Sequence, residues 1–260
     1  MSLLVVKNLG KSFGGVRAVD GIDFSVAPGE LLALIGPNGA GKSTTFNMVN
    51  GQIRPDCGSI RLGEHELAGM RPREIWRLGV GRTFQIAETF QSLTVCENVQ
   101  MALISADRQL FSFFKRAAHH AVDRALALLE LVGMGDQADR SCSELAYADV
   151  KRVELAIALA NSPRLLLMDE PTAGMATAER NALMALTKRL VTDQGIAVLF
   201  TEHSMDVVFA YADRIIVLAR GRLIAEGTLA DIRDNPKVQE VYFGTGKTFE
   251  KMRSLRDGAQ

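Results

Sequence analysis

Residues 36–44 read Gly36-Pro37-Asn38-Gly39-Ala40-Gly41-Lys42-Ser43-Thr44, and the spacing G-x-x-x-x-G-K-[ST] is that of a loop built to hold phosphate. Its glycines let the backbone wind so that successive N–H groups point at one anion, with no Cβ in the way. Lys42 is expected to reach the β- and γ-phosphates of a nucleoside triphosphate, and the Ser43 hydroxyl to take a place on Mg²⁺. A second group lies far along the chain, where the apolar run Leu165-Leu166-Leu167-Met168 ends in Asp169-Glu170. Beside a phosphate loop, Asp169 reads as a carboxylate that holds Mg²⁺ through water. Glu170 then reads as the group that contacts an attacking water as general base. Without the loop, the same acidic pair would more simply cap a helix. His203 follows an apolar run over 196–200. At the carboxyl end of a parallel strand it can hydrogen-bond the γ-phosphate, although its position alone suits a surface-loop histidine equally well. His65, His119 and His120 have no such setting and read as solvated.

These groups need a scaffold. The continuous apolar run over 31–35 predicts a buried parallel strand leading into the loop. Residues 44–50 predict the helix whose N-terminus faces the phosphates. Ahead of it, 3–6 reads as a short strand and 11–15 as a loop. Ile22, Phe24 and Val26 alternate with Asp23 and Ser25, the period of a half-buried antiparallel strand. Pro28-Gly29-Glu30 reads as a turn, 56–59 as another turn, 59–62 as a short strand, 72–78 as a helix and 79–84 as a passage to Gln85. Over 88–160 strand signals vanish and apolar residues recur at helical spacing, as in Ala121, Ala125, Leu128, Leu129 and Val132, which predicts an inserted helical subdomain. Within it, 110–115 places three aromatics in a polar neighbourhood, read either as packing or as a partner contact. Beyond Pro163 the strand–helix alternation returns: strands over 165–168, 196–200 and 215–219, helices over 178–191 and 205–211, and a turn at Arg220-Gly221. The expected division is an α/β and antiparallel β part of the core over 1–87, helices over 88–160, the rest of the core over 161–235 and a tail over 236–260.

Composition narrows the classes. Lys plus Arg and Asp plus Glu number 30 each, so no net field favours nucleic acid as a partner. Cys57, Cys96 and Cys142 are widely spaced, which fits a reducing compartment better than a disulfide framework. The first residues are too briefly apolar for a signal peptide. No run approaches the ~18 apolar residues that span a bilayer. A soluble chain that docks on a membrane assembly is the expectation.

Taken in order, the phosphate loop, Gln85, Asp169-Glu170 and His203 resemble the ATP-binding cassette of ABC transporters over nearly the whole chain. The resemblance implies a phosphate-loop ATPase core with an antiparallel β subdomain and an inserted α-helical subdomain, binding ATP and Mg²⁺. It implies that Phe13 stacks on adenine, the alternative being a loop-anchoring core phenylalanine. Gln85 would touch Mg²⁺ and the water while reporting to the membrane subunit; Glu170 would be the catalytic carboxylate and His203 the switch histidine. The stretches 82–85, 93–99, 169–175 and the tail from Glu226-Gly227-Thr228 to Val241-Tyr242-Phe243-Gly244 are similar to the larger cassette of branched-chain amino acid importers, with urea and amide importers close by. The implied partners are a second ABC ATPase subunit, in a hetero- or homodimer, integral membrane permease subunits and, indirectly, a solute-binding protein. The implied location is the cytoplasmic face of the membrane. Rival classes are a soluble ABC ATPase acting on ribosomes or DNA, a phosphate-loop kinase or GTPase, and a regulatory nucleotide-binding protein that hardly turns over.

One stretch departs from that pattern. Where the family carries L-S-G-G-Q, or L-S-Y-G-Q in this subfamily, the chain has Leu145-Ala146-Tyr147-Ala148-Asp149. Ala146 lacks the hydroxyl that would contact a γ-phosphate across a dimer, Ala148 replaces a glycine, and Asp149 adds a negative charge unless it caps its helix. Ala176 stands where an Asp or Asn usually reaches across. The groups serving the chain's own nucleotide are intact and those offered to a partner are altered. This predicts a dimer with one competent composite site and one slow one.

Overall fold

The computed structural model describes residues 2–83, 89–107 and 115–243. Gln85, the aromatics at 111–114 and the tail beyond 243 lie outside it, as do the side chains of 115–120 (His119 and His120 among them), 242 and 243.

Strands β1 (Leu4–Phe13) and β2 (Val16–Val26) form a hairpin, followed by β3 (Leu31–Ile35) and helix α1 (Lys42–Val49). Then come β4 (Cys57–Leu62), β5 (His65–Glu66), α2 (Pro72–Arg77) and β6 (Val80–Thr83). Three helices follow, α3 (Val95–Ala106), α4 (Lys115–Leu131) and α5 (Tyr147–Leu159). The chain returns through β7 (Leu165–Asp169), α6 (Thr177–Gln194), β8 (Ala197–Thr201), α7 (Met205–Tyr211), β9 (Arg214–Ala219), β10 (Arg222–Gly227) and α8 (Leu229–Arg233). One sheet has the order β2-β1-β4-β5 and pairs antiparallel; the other runs β10-β9-β3-β8-β7-β6, parallel from β9 to β6.

The parallel strands β3, β7, β8 and β9 are apolar except at their ends because both faces are covered. Leu31, Ala33 and Ile35 of β3 face one apolar cluster with the helices α3 to α6, whereas Leu32 and Leu34 face another with the antiparallel sheet and α1. Strands β7 and β8 sort the same way, Met168 and Phe200 to the first cluster, Leu167 and Leu199 to the second. Such strands admit charge only at their ends, and there the chemistry-bearing groups stand. Arg214 ties the two sheets together. Its guanidinium donates to Glu30 Oε1 at 2.7 Å, to the Ser25 carbonyl and to Glu226. The Glu30 bonds raise its pKa further above the ordinary value against the cost of burial.

The α/β core, the antiparallel sheet and the helical insertion agree with the expected fold, and three local readings are corrected. Residues 11–13 belong to β1, and only Gly14 and Gly15 turn. Lys11 and the Ser12 amide are both held by the Asp56 carboxylate, at 2.7 and 2.8 Å, which keeps this polar end paired. Cys57 and Gly58 belong to β4 rather than to a turn. The stretch 80–83, read as a passage to Gln85, is the edge strand β6. Among the described residues no helix is long and apolar enough to cross a membrane, and the three cysteines are free thiols.

Asn98, 2% exposed, joins the segment after residue 88 to the helices. Its Oδ1 accepts from the Phe90 amide at 2.8 Å, and its Nδ2 donates to the carbonyls of Phe90 and Thr94 and to Cys142 Sγ. Asn98→Ala leaves these buried groups unsatisfied, and urea denaturation is expected to show a loss of about 1–3 kcal/mol.

Candidate functional site

The phosphate loop connects β3 to α1 and is packed against two other elements. A Cβ on Gly36 would stand 2.3 Å from the Leu218 carbonyl oxygen of β9. One on Gly41, which has φ 104°, would stand 2.4 Å from the Ala18 carbonyl oxygen of β2. Glycine is therefore required at both positions by close approach, quite apart from any ligand. The Gly221 amide donates to the Ala40 carbonyl at 3.0 Å and the Asp20 amide to the Gly221 carbonyl at 2.8 Å, linking the loop to the β9–β10 turn and to β2. Lys42 is 7% exposed, and its ammonium donates to the Gly36 and Pro37 carbonyls at 2.7 and 3.2 Å. Burial lowers its pKa from the ordinary value, while the charges of Glu170 and Asp169 pull the other way.

A cleft of about 260 Å³ opens over the loop, lined by residues 38–44 together with Ala18, Glu170 and His203. Glu170 takes a left-handed backbone, φ 47°, at the turn that leaves β7. Its carboxylate Oε1 lies 2.8 Å from His203 Nε2. The two groups assigned to water and γ-phosphate thus meet at the mouth of the phosphate loop.

Asp169 ends β7 directly opposite Thr201 of β8. The Thr201 hydroxyl donates to Asp169 Oδ1 at 2.7 Å and accepts the Glu170 amide at 3.0 Å. Arg82 Nη2 is 3.6 Å from Asp169 Oδ2. Next to Thr201, Glu202 is 3% exposed; its Oε1 accepts the Thr172 amide at 3.0 Å and the Thr172 hydroxyl at 2.6 Å. Glu202 therefore fixes the segment after Glu170 against the one that carries His203. Reading by motif missed Thr201 and Glu202 as site residues and used Arg82 only as part of a family stretch. Their one signal was position, at or beside the ends of the parallel strands.

Phe13 is 47% exposed at the end of β1, with Lys11 Nζ 5.5 Å from its ring centroid. It is not a core side chain, so the loop-anchoring alternative is removed. The signature-like stretch 145–149 does not line the cleft. Ala146 occupies the cap position of α5, with no side-chain bond to the first turn. Asp149 lies inside that turn, not at the cap, so the capping expectation is corrected; there its charge only complements the helix dipole. Tyr147 is 45% exposed, its ring edge 3.7 Å from where a Cβ on Gly174 would stand and its centroid 5.8 Å from Lys151 Nζ. Ala176 caps α6, its amide donating to Glu179 Oε2 at 3.1 Å.

The donors that would face a metal, the Ser43 hydroxyl and the Asp169 carboxylate, are hard oxygens of the kind Mg²⁺ accepts. No three His, Cys, Asp or Glu side chains cluster to hold a metal among the described residues.

Known proteins match this arrangement. Residues 19–173 match the family described as ABC transporter, and residues 222–248 the family described as branched-chain amino acid ATP-binding cassette transporter. The high-affinity branched-chain amino acid transport ATP-binding protein LivG of Escherichia coli (strain K12) is 39% identical over 252 residues, covering 93% of this chain and 98% of LivG. The ADP conformation of an ATP-binding cassette of an ABC transporter superposes with a TM-score of 0.81 at 30% identity, covering 94% of this chain and 99% of the other. A dimeric cassette in a post-hydrolysis state with ADP and phosphate superposes at 0.74 with 25% identity, covering 87% and 98%. With its phosphate loop, Glu170 and His203 converging on one cleft, the chain belongs to the ABC transporter family as an ATP-binding cassette subunit that hydrolyses ATP.

Proposed function

We propose that this cassette powers the uptake of branched-chain amino acids or related small polar solutes, docked on membrane permease subunits at the cytoplasmic face and paired with a second cassette. The observation that carries the solute class is the C-terminal match over 222–248, supported by the relatives' names. A solute-binding protein would choose among the solutes.

In this reading the amides of the phosphate loop and the Lys42 ammonium hold the β- and γ-phosphates, and Phe13 stacks on adenine. Ser43 and Asp169 would hold Mg²⁺ together with Gln85, and the ion supplies charge neutralisation on the phosphate oxygens. Glu170 accepts the proton of a water as its oxygen attacks the γ-phosphorus and the bond to the β-γ bridging oxygen breaks, giving ADP and phosphate. The 2.8 Å His203–Glu170 contact supports this division of labour, because it brings the histidine to the base and to the γ-phosphate position at once. Thr201 keeps Asp169 and the Glu170 backbone in register with each other.

The sequence of α5 supports a second cassette. Without a serine hydroxyl at 146 and with Asp149 in the first turn, this chain offers a partner's γ-phosphate only backbone amides beside a negative charge. The competent site would combine this chain's phosphate loop with an intact signature from the partner.

Glu170→Gln is expected to lower turnover about 100- to 1,000-fold in the assembled complex, the usual scale for a general base. An unchanged rate would overturn its assignment. Sedimentation of Glu170→Gln with Mg-ATP at micromolar concentration should show a monomer when this chain is alone. An ATP-dependent dimer of this chain by itself would remove the case for an obligate partner. Restoring the signature by Ala146→Ser, Ala148→Gly and Asp149→Gln should raise the ATPase rate of the complex. An unchanged rate would mean that the altered loop never limits turnover.

A further inference from the structure

Arg82 of β6 is largely but not fully buried, its side chain 10% exposed, and it faces Asp169, the neighbour of the cleft-lining Glu170. Its three described polar partners belong to separate parts of the core. Nη1 donates to Asn47 Oδ1 in α1 and to Gln52 Oε1 just beyond that helix, both at 3.0 Å, and Nη2 faces Asp169 Oδ2 at 3.6 Å. Asn47 stands four residues after Ser43 on α1, so the two share a face of the helix. The guanidinium therefore spans from the face of α1 that carries Ser43 to the carboxylate at the end of β7. Those two residues carry oxygens that, together with Gln85, would hold Mg²⁺. Arg82 also precedes Gln85 by three residues along the strand that leads to it.

We propose that Arg82 is a positioning residue that sets the separation of Ser43 and Asp169, and thereby the affinity of the nucleotide site for Mg²⁺. The inference rests on the reading of Asp169 as the metal carboxylate. The geometry favours positioning over simple charge balance. The contact with Asp169 is the longest of the three, whereas the two neutral amides hold the fork at ordinary hydrogen-bond lengths. Two carbonyl oxygens on Nη1 fix the plane of the guanidinium, and that plane places Nη2 on the side of Asp169. Asp169 Oδ1 is meanwhile held by Thr201, so both oxygens of the carboxylate are oriented, from opposite neighbours. Charge balance alone predicts the opposite sign: removing a cation beside Asp169 would make the site more negative and bind Mg²⁺ more tightly.

The test is a Mg²⁺ titration of full-length protein carrying a fluorescent ATP analogue, with binding in excess EDTA and thermal melting as controls. Groups that orient a metal ligand typically change affinity about 10- to 100-fold when removed. Arg82→Gln is expected to raise the half-saturating Mg²⁺ concentration about 10-fold while metal-free nucleotide binding stays unchanged. Arg82→Lys should recover part of the loss. The double substitution Asn47→Ala and Gln52→Ala, which leaves the Arg82 charge but removes its anchors, should weaken Mg²⁺ in the same direction and serves if Arg82→Gln does not fold. An unchanged or lower half-saturating concentration in these folded variants would overturn the proposal. Asp169→Asn separates the two levels. If it leaves the Mg²⁺ dependence unchanged, the reading of Asp169 itself fails; if it shifts the dependence and the Arg82 and anchor variants do not, only the positioning role fails.

Discussion

The Thr201 hydroxyl donates to Asp169 and accepts from the Glu170 amide, and these two bonds decide where both carboxylates stand. They exist because β7 and β8 pair in the register that sets Asp169 opposite Thr201. That register depends on strands whose side chains alternate between two apolar clusters, since a slip of one residue would exchange the faces of the whole strand. The left-handed backbone at Glu170 is held from the same neighbouring strand end, through Thr201, and within its own turn by the Ala173 amide, which donates to the Glu170 carbonyl. Much of what surrounds the cleft, including the Glu202–Thr172 contact and the Arg82 fork, extends this arrangement outward by one residue or one strand.

The parallel strands were legible because nothing but a doubly covered strand explains runs such as Leu31-Leu32-Ala33-Leu34-Ile35. The phosphate loop was legible because its spacing encodes a local backbone path. Strand β6 was not, for a reason its residues make clear. Val80-Gly81-Arg82-Thr83 has one large apolar side chain, a glycine and a charge. Gly81 is there because α5 crosses so closely that a Cβ would stand 2.7 Å from the Ala158 carbonyl oxygen, and Arg82 because polar partners wait on α1 and β7. Both reasons are tertiary. The far end of β1 escaped for a similar cause, because Asp56, more than forty residues on, supplies the pairing that Lys11 and Ser12 need. Thr201 and Glu202 looked like ordinary residues beside a histidine until strand register showed what they touch.

The signature-like helix shows the limit of pattern in another way. Substitution at 146 and 149 is plain in the sequence, but whether Asp149 caps its helix is a matter of where the helix begins. It begins at Tyr147, with Ala146 at the cap and no side-chain cap bond, so the first turn carries one carboxylate and no capping side chain. The dipole of α5 favours that carboxylate as it would favour a phosphate. The two would compete for the same end of one helix.

The contacts of Lys42 give the loop a property of its own. Its ammonium donates to two carbonyls of the loop it serves, so this charge has partners within the loop itself. An incoming anion exchanges partners with the protein instead of meeting a bare charge. A small monovalent ion offers little in that exchange. A polyphosphate can take the ammonium and several loop amides together, and so offers more in that exchange than a single small anion does.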